Sequence, residues 1–179
     1  MELETDITRI EVMTRLNGAD DAEYRRLLET CDLAPEEVDA IVHRHYREVA
    51  GHIECRVCGN CCKVFRPLLK PEDIDRLAGR LKISREAFMK KYIVEYEDGQ
   101  GWFFKDVPCP FLVDNSCSVY PDRPGICRSY PNLHTGGFVS RLGIVFSSCS
   151  VCPIVYNVYE GVKREIRAGQ IPAMSSEDQ

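Results

Sequence analysis

The chain predicts a mostly helical α+β fold in which a small cysteine-rich core with short strands is flanked by four or five helices. Three observations predict it. Apolar residues recur at spacings of three and four in several segments, as one face of a helix requires. Between residues 99 and 146 that rhythm gives way to aromatic and β-branched runs broken by Gly and Pro. Nearly all ten cysteines fall outside the periodic segments, so helices supply the framework and loops carry the chemistry.

The lead-in is helical. After Asp20, a residue suited to capping, Tyr24, Leu27, Leu28 and Cys31 make one apolar stripe, which assigns Cys31 to the core. Pro35 opens a second helix with Glu36, Glu37 and Asp39 early and His43, Arg44, His45 and Arg47 late, the order the helix dipole favours. Val38, Ile41, Val42 and Val49 form its inner face and Gly51 stops it. A short extended piece over 65–69 precedes Pro71, which opens a third helix with Glu72 and Asp73 in the first turn and Ile74, Leu77, Ala78 and Leu81 inward. Ser84 caps a fourth, with Ile83 and Phe88 at the positions of a hydrophobic staple and Met89, Tyr92, Ile93 and Tyr96 continuing the apolar side.

Residues 102–107 and 138–146 are candidate strands; in the second, Phe138, Leu142, Ile144 and Phe146 alternate onto one face. A final helix starts at Pro153, turns Val155, Val158, Tyr159, Val162 and Ile166 inward, and ends near Gly169. The organisation expected is a helical lead-in over 1–50, a cysteine-cluster domain over 51–170 and a mobile tail over 171–179. No internal repeat or low-complexity tract is present.

Composition narrows the function. With 179 residues, 44% of them hydrophobic, the chain buries a sufficient core without covalent staples. Its 23 basic and 28 acidic side chains leave a formal charge of −5, which is the wrong sign for a general nucleic-acid or membrane-surface binder. The opening Met1-Glu2-Leu3-Glu4-Thr5-Asp6 lacks the apolar region of a secretory signal, and no apolar run approaches the length of a membrane helix. The expected compartment is therefore cytoplasmic. In a reducing compartment, abundant cysteine points to metal ligation or redox chemistry rather than to disulfides.

Cys55-Arg56-Val57-Cys58-Gly59-Asn60-Cys61-Cys62 is a C-x2-C-x2-C-C string. Two residues between thiolates let a tight turn aim both sulfurs at one ion or cluster, as in zinc knuckles and bacterial ferredoxins. A thioredoxin-like pair at Cys58 and Cys61 fits less well, because no apolar strand precedes it and cysteines crowd both sides. The adjacent Cys61 and Cys62 diverge by about 100° on a helix and point to opposite faces in a strand. They are expected to serve different roles, with the link between two sites favoured over one ligand beside one packed thiol.

A second group follows: Cys109-Pro110-Phe111-Leu112, Cys117-Ser118-Val119-Tyr120-Pro121, and Arg123-Pro124-Gly125-Ile126-Cys127-Arg128-Ser129-Tyr130-Pro131. In this order the chain resembles the YkgJ-like cysteine-cluster family, a zinc- or iron-chelating domain with a CxxCxxCC box, over about residues 50–160. The resemblance implies Cys55, Cys58, Cys61, Cys62, Cys109, Cys117 and Cys127 as metal ligands. For the further terminal cysteine the chain offers a pair, Cys149 and Cys152. Cys152 is favoured because it precedes Pro153 at a helix N-terminus, where the dipole lowers thiolate pKa; Cys149 stays open. The helical lead-in has no counterpart in the family pattern.

This many thiolates suit two four-cysteine zinc sites, one or two iron–sulfur clusters, or a mixture. The ferredoxin-like spacing and the Cys-Pro pairs favour an iron–sulfur cluster over zinc as cofactor. Arg56, Lys63, Arg66, Arg123 and Arg128 offset the charge of such a site or serve solubility. Tyr120, Tyr130, Arg123 and Arg128 are candidates to hold a substrate carboxylate or to brace the loop. His43 and His45 stand about 200° apart on a helix and cannot chelate one ion together; His52, His134 and the run Glu95-Tyr96-Glu97-Asp98 read as solvated or structural.

The function expected is cysteine-ligated metal binding, in electron transfer or maturation. One alternative is an S-adenosylmethionine-dependent protein methylase, because the family's box also resembles part of flagellin lysine-N-methylase. Another is a zinc-braced interaction module whose lead-in docks a protein partner. Phosphate-binding, dinucleotide, zinc-protease and serine-hydrolase motifs are absent from the sequence.

Overall fold

The computed structural model describes residues 3–30, 32–96 and 101–170. Cys31, the end of the acidic run at Glu97 and Asp98, and the tail beyond 170 lie outside the described residues. The helices are α1 (Ile7–Leu16), α2 (Gly18–Thr30), α3 (Pro35–Ala50), α4 (Cys55–Cys58), α5 (Asn60–Val64), α6 (Pro71–Leu81), α7 (Arg85–Tyr92), α8 (Gly125–Ser129), α9 (Leu142–Cys149) and α10 (Pro153–Gln170). The strands are β1 (Leu68–Leu69), β2 (Ile93–Glu95), β3 (Trp102–Phe104), β4 (Leu112–Val113) and β5 (Ser116–Cys117). The fold is mostly helical α+β, and it divides into two compact units: Met1–Ile53 with Leu133–Gln179, and Glu54–Asn132.

The first unit is built around α10. Every residue from Val151 to Tyr159 is buried, as are Val162, Lys163 and Ile166, so this helix is covered on nearly all sides rather than along one stripe. Helices α3 and α9 pack directly on it. At Gly161 an added Cβ would lie 2.7 Å from His45 Nδ1, so the small residue allows α3 and α10 to approach. Tyr24 and Phe146 meet Tyr159 edge-on at centroid distances of 5.5 and 5.2 Å, the offset geometry that ring quadrupoles favour.

Inside this apolar helix Lys163 needs partners. It donates to Asp20, Asp21 and Glu160 at 3.0, 3.0 and 2.8 Å, and Tyr159 Oη also donates to Asp21. Burial alone would lower the lysine pKa, but the three carboxylates overcome it and the net shift is upward. Asp20 therefore sits inside the first turn of α2, paired with Lys163 and Arg167, and does not cap the helix.

Two further elements differ from the sequence expectation. Asp6 caps a helix, α1, that the periodicity did not pick out; its carboxylate accepts from Thr8 N and Arg9 N. The segment at 138–146 is not a strand: a 3-10 turn over Val139–Arg141 leads into α9. Phe138, Leu142, Val145 and Cys149 are buried at spacings of four, three and four, whereas Ile144, on the face assigned inward, is 70% exposed.

In the second unit β1, β3 and β2 form an antiparallel sheet in that order, with Leu68 opposite Phe103 and Ile93 opposite Phe104. Ile93 thus ends α7 instead of extending it, consistent with the strand preference of β-branched residues. Helices α6 and α7 start as expected. Lys70 N donates to Asp73 and Ala87 N to the Ser84 hydroxyl. Their apolar faces join the sheet in one core of Leu69, Ile74, Leu77, Ala78, Phe88, Ile93, Phe104, Phe111 and Val119. Phe111 contacts the rings of Phe88, Tyr92 and Phe104, and Cys109 and Cys117 pack against the same core. The cysteine loops are therefore anchored by an aromatic residue from within their own Cys-Pro-Phe-Leu segment.

Candidate metal centre

The cysteine box folds as two short helical turns. Glu54 accepts from Arg56 N and starts α4, on which Cys55 and Cys58 are three residues apart and so share a face. Gly59 breaks the helix with φ +59, and a Cβ there would lie 2.4 Å from the carbonyl oxygen of Asn115. Only glycine allows both that conformation and that approach. The chain then turns into α5, which carries Cys61 and Cys62.

Asn115 belongs to the hairpin of β4 and β5, where Leu112 faces Cys117 and Val113 faces Ser116. The connecting Asp114 and Asn115 both have positive φ, 48° and 60°, as a two-residue type I′ turn requires. Ser116 Oγ donates to Arg56 O, which fastens the hairpin to α4. Cys109 N donates to Cys62 O at 2.7 Å, and Leu112 N donates to Cys109 O at 3.0 Å. Backbone hydrogen bonds thus tie together the segments that carry Cys62, Cys109 and Cys117.

Cys127 is placed by Asp73, expected only as a first-turn acid, together with Arg76. Asp73 is buried and accepts from Gly125 N at 3.0 Å, Lys70 N at 3.1 Å and Arg76 at 2.6 Å. Arg76 also donates to the carbonyls of Asp122 and Arg123 at 3.1 and 3.0 Å. Together they clamp the turn that leads into α8, the helix of Cys127. The sequence carries a signal for this: Asp73 falls on the apolar face, four residues before Leu77 and next to Ile74, with an arginine three residues on. Burial favours protonation of Asp73, but Arg76 and the two N–H groups outweigh it and the pKa is lowered.

Burial pushes Cys127 up to about 12, and the thiols of Cys62, Cys109 and Cys117 push in the same direction. Burial pushes Cys109 up to about 11, with Cys62 and Cys117 adding to it; Cys117 is raised by burial and by Cys62, against the pull of Arg123. A hydrogen bond from the neighbouring Cys61 thiol lowers Cys62 to about 7. The charges of Cys62, Cys109 and Cys117 thus each bear on Cys127. Cys55 instead responds to burial, then to Cys58, Glu54 and Arg123. Among the described residues no disulfide joins any of these cysteines, and no three His, Cys, Asp or Glu side chains are grouped closely enough to hold an ion directly.

The donor set fits a soft metal centre: four half-buried thiols from three chain segments, backed by an aromatic core, with cations beside them. The Arg123 guanidinium lies 3.8 Å from the centroid of Tyr120 and that of Arg56 lies 4.8 Å from it. Arg123 also donates to Tyr120 O at 2.8 Å. Arg128 donates to the carbonyls of Arg123 and Pro121 and so braces the loop; Lys63 and Arg66 are exposed. Tyr130 meets Phe65 edge-on at 5.9 Å.

Cys149 and Cys152 belong to the first unit, at the end of α9 and just before α10, and both are buried. Burial raises the Cys149 pKa, and Asp21 and Glu160 add to the shift. The histidines also belong to the first unit. His45 pairs with Glu165 at 2.7 Å, His52, just beyond α3, bonds Glu48 O in its last turns, and His134 lies tilted against Tyr46 with ring centroids 6.0 Å apart.

Among the described residues no helix is long and apolar enough to cross a membrane. No solved structure matches the chain. An uncharacterized protein of Methanocaldococcus jannaschii, MJ0661, is 36% identical over 81 residues, 43% of this chain and 43% of that protein. The similarity thus spans less than half of the relative's length. A family model matches residues 54–153, which include the box and every later cysteine. The chain therefore belongs to the CxxCxxCC family, described as a "putative zinc- or iron-chelating domain", and is a cysteine-ligated metal-binding protein.

Proposed function

We propose that Cys62, Cys109, Cys117 and Cys127 hold an iron–sulfur cluster and that the protein serves electron transfer or cluster maturation. The observation that carries this is the C-x2-C-x2-C-C box, whose spacing is that of bacterial ferredoxins, joined by hydrogen bonds to the segments that carry Cys109 and Cys117. When bound, such a cluster supplies one-electron redox chemistry. The protein's part is to set the four sulfurs, exclude water with the aromatic core beneath Cys109 and Cys117, and place Arg123 against the thiolate charge.

The test is an anaerobic visible spectrum of the purified protein with iron, sulfide and zinc analysis. Charge-transfer absorption that bleaches with dithionite, with iron and sulfide present, is the result expected. Stoichiometric zinc without visible absorption would establish a zinc-braced module instead, since zinc has no redox chemistry.

A further inference from the structure

Helix α4 and the hairpin of β4 and β5 share an outer face that metal ligation does not use. Val57 on α4 is 72% exposed. In the hairpin Cys117 packs against the aromatic core, so the alternation of strand side chains turns Ser116 and its cross-strand partner Val113 outward. Val113 is 55% exposed. From this face Ser116 Oγ reaches the carbonyl of Arg56, the residue before Val57. The hydrogen bond makes one surface of α4 and the hairpin, with a large apolar side chain exposed on each of the two elements.

The charge beside this surface is positive. The guanidiniums of Arg56 and Arg123 lie against the same Tyr120 ring, 4.8 and 3.8 Å from its centroid, and like charges held against one ring repel. Among the described residues neither pairs with a carboxylate, whereas Arg76, Arg80 and Arg85 of the same unit pair with Asp73, Asp122 and Asp75. Glu54 accepts from the backbone N–H of Arg56 instead. Arg123 is half-buried and held by the Tyr120 carbonyl, but Arg56 is exposed. Lys63 and Arg66 add exposed cations beyond the box, against which stand Glu54 and, at the hairpin tip, Asp114. Basic side chains outnumber acidic ones across Glu54–Asn132, although the whole chain carries −5.

We propose that the face of α4 and the hairpin is the docking surface for an acidic protein, which seats carboxylates on Arg56 and Arg123 and apolar side chains against Val57 and Val113. This deepens the electron-transfer reading and rests on it for the partner's role: the face is made of the box and of the hairpin that carries Cys117, so a redox protein seated there lies against the cluster-bearing segments. Arginine suits the task, because its planar fork matches a carboxylate and stacks on an aromatic ring. Stacking on Tyr120 holds both forks before the partner arrives, so little side-chain freedom is lost on binding. The valines keep water from the ion pairs once they form.

The experiment titrates the full-length protein, as purified, with an oxidised acidic flavodoxin. Saturable binding that weakens as salt is raised is the result expected, since exposed charges are screened. Arg56→Glu and Val57→Asp should each weaken it about tenfold. Lys90→Glu, the same charge reversal at an exposed position on α7, should change it less than about twofold. No saturable binding, binding that salt does not weaken, or an equal loss in Lys90→Glu would overturn the proposal. Full competition by inorganic phosphate at matched ionic strength would also overturn it, and would mark a small-anion site instead. Amide exchange on the wild type decides the matter without a variant: flavodoxin should protect residues 55–57 and 113–116, and protection confined to other segments refutes the face. Iron, sulfide and zinc analysis of the same sample separates the two assignments. Binding by a zinc-loaded protein overturns the electron-transfer reading and keeps the docking face, whereas an intact cluster that flavodoxin does not bind overturns the docking face alone.

Discussion

Replacing Asp73 by alanine should disable the centre from outside it. The Asp73 side chain is 6% exposed and accepts three hydrogen bonds, from Gly125 N, Lys70 N and the Arg76 guanidinium. A buried donor left without its acceptor costs about 1–3 kcal/mol, and a bond to a charged group contributes about 1.5–3 kcal/mol. Lys70 N and Gly125 N, at exposed residues, regain water, and Arg76 keeps its bonds to the Asp122 and Arg123 carbonyls. The expected loss is therefore about 2 kcal/mol, roughly thirtyfold in the folding constant. Asp73→Asn retains one acceptor oxygen and should lose roughly half as much. Urea unfolding measures it, with alkylation of Cys127 reporting whether the turn before α8 has loosened. Asp75→Ala is the control: Asp75 pairs with Arg85 at 2.5 Å but is 59% exposed, so its loss should stay below about 0.5 kcal/mol. If Asp73→Ala lies within about 0.5 kcal/mol of the wild type, or Cys127 reacts no faster, the clamp does not position the ligand.

Four further outcomes follow from the same structure. Gly59→Ala forces a Cβ to within 2.4 Å of the Asn115 oxygen at positive φ, and should cost at least about 2 kcal/mol in thermal or urea unfolding and lower bound metal. Lys163→Met leaves Asp20, Asp21 and Glu160 facing one another around a buried position, and should destabilise by about 3–5 kcal/mol. Val145→Ala should cost about 2 kcal/mol and Ile144→Ala less than about 0.5 kcal/mol, an asymmetry that an inward-facing Ile144 on a strand would reverse. Burial raises the Glu165 pKa, but His45 and Arg44 overcome it and the net shift is downward. Its contribution is therefore complete above the unfolded glutamate pKa of about 4.3 and is lost as pH falls through the folded value. Glu165→Gln should flatten this acid limb of the stability–pH curve.

The sequence by itself determined the helix starts at Pro35, Pro71, Ser84 and Pro153, because proline geometry, capping oxygens and apolar periodicity are local properties of the chain. It also determined the chemistry, since cysteines at C-x2-C-x2-C-C spacing specify soft-metal ligation wherever the loops lie. The 138–146 segment was ambiguous. Its apolar residues satisfy both a two-residue and a three-to-four-residue period, and only packing against α10 selects the helix that buries Val145 and exposes Ile144. Asp20 and Asp73 look like ordinary helix-start acids, and each has its partner far along the chain, Lys163 for one and Gly125 for the other. The joining of the segments that carry Cys58, Cys62, Cys109, Cys117 and Cys127 was likewise decided only in three dimensions. It depends on a left-handed glycine meeting a hairpin tip more than fifty residues away and on a buried carboxylate holding a distant turn, and long-range contacts of this kind leave no period or spacing in the sequence that encodes them.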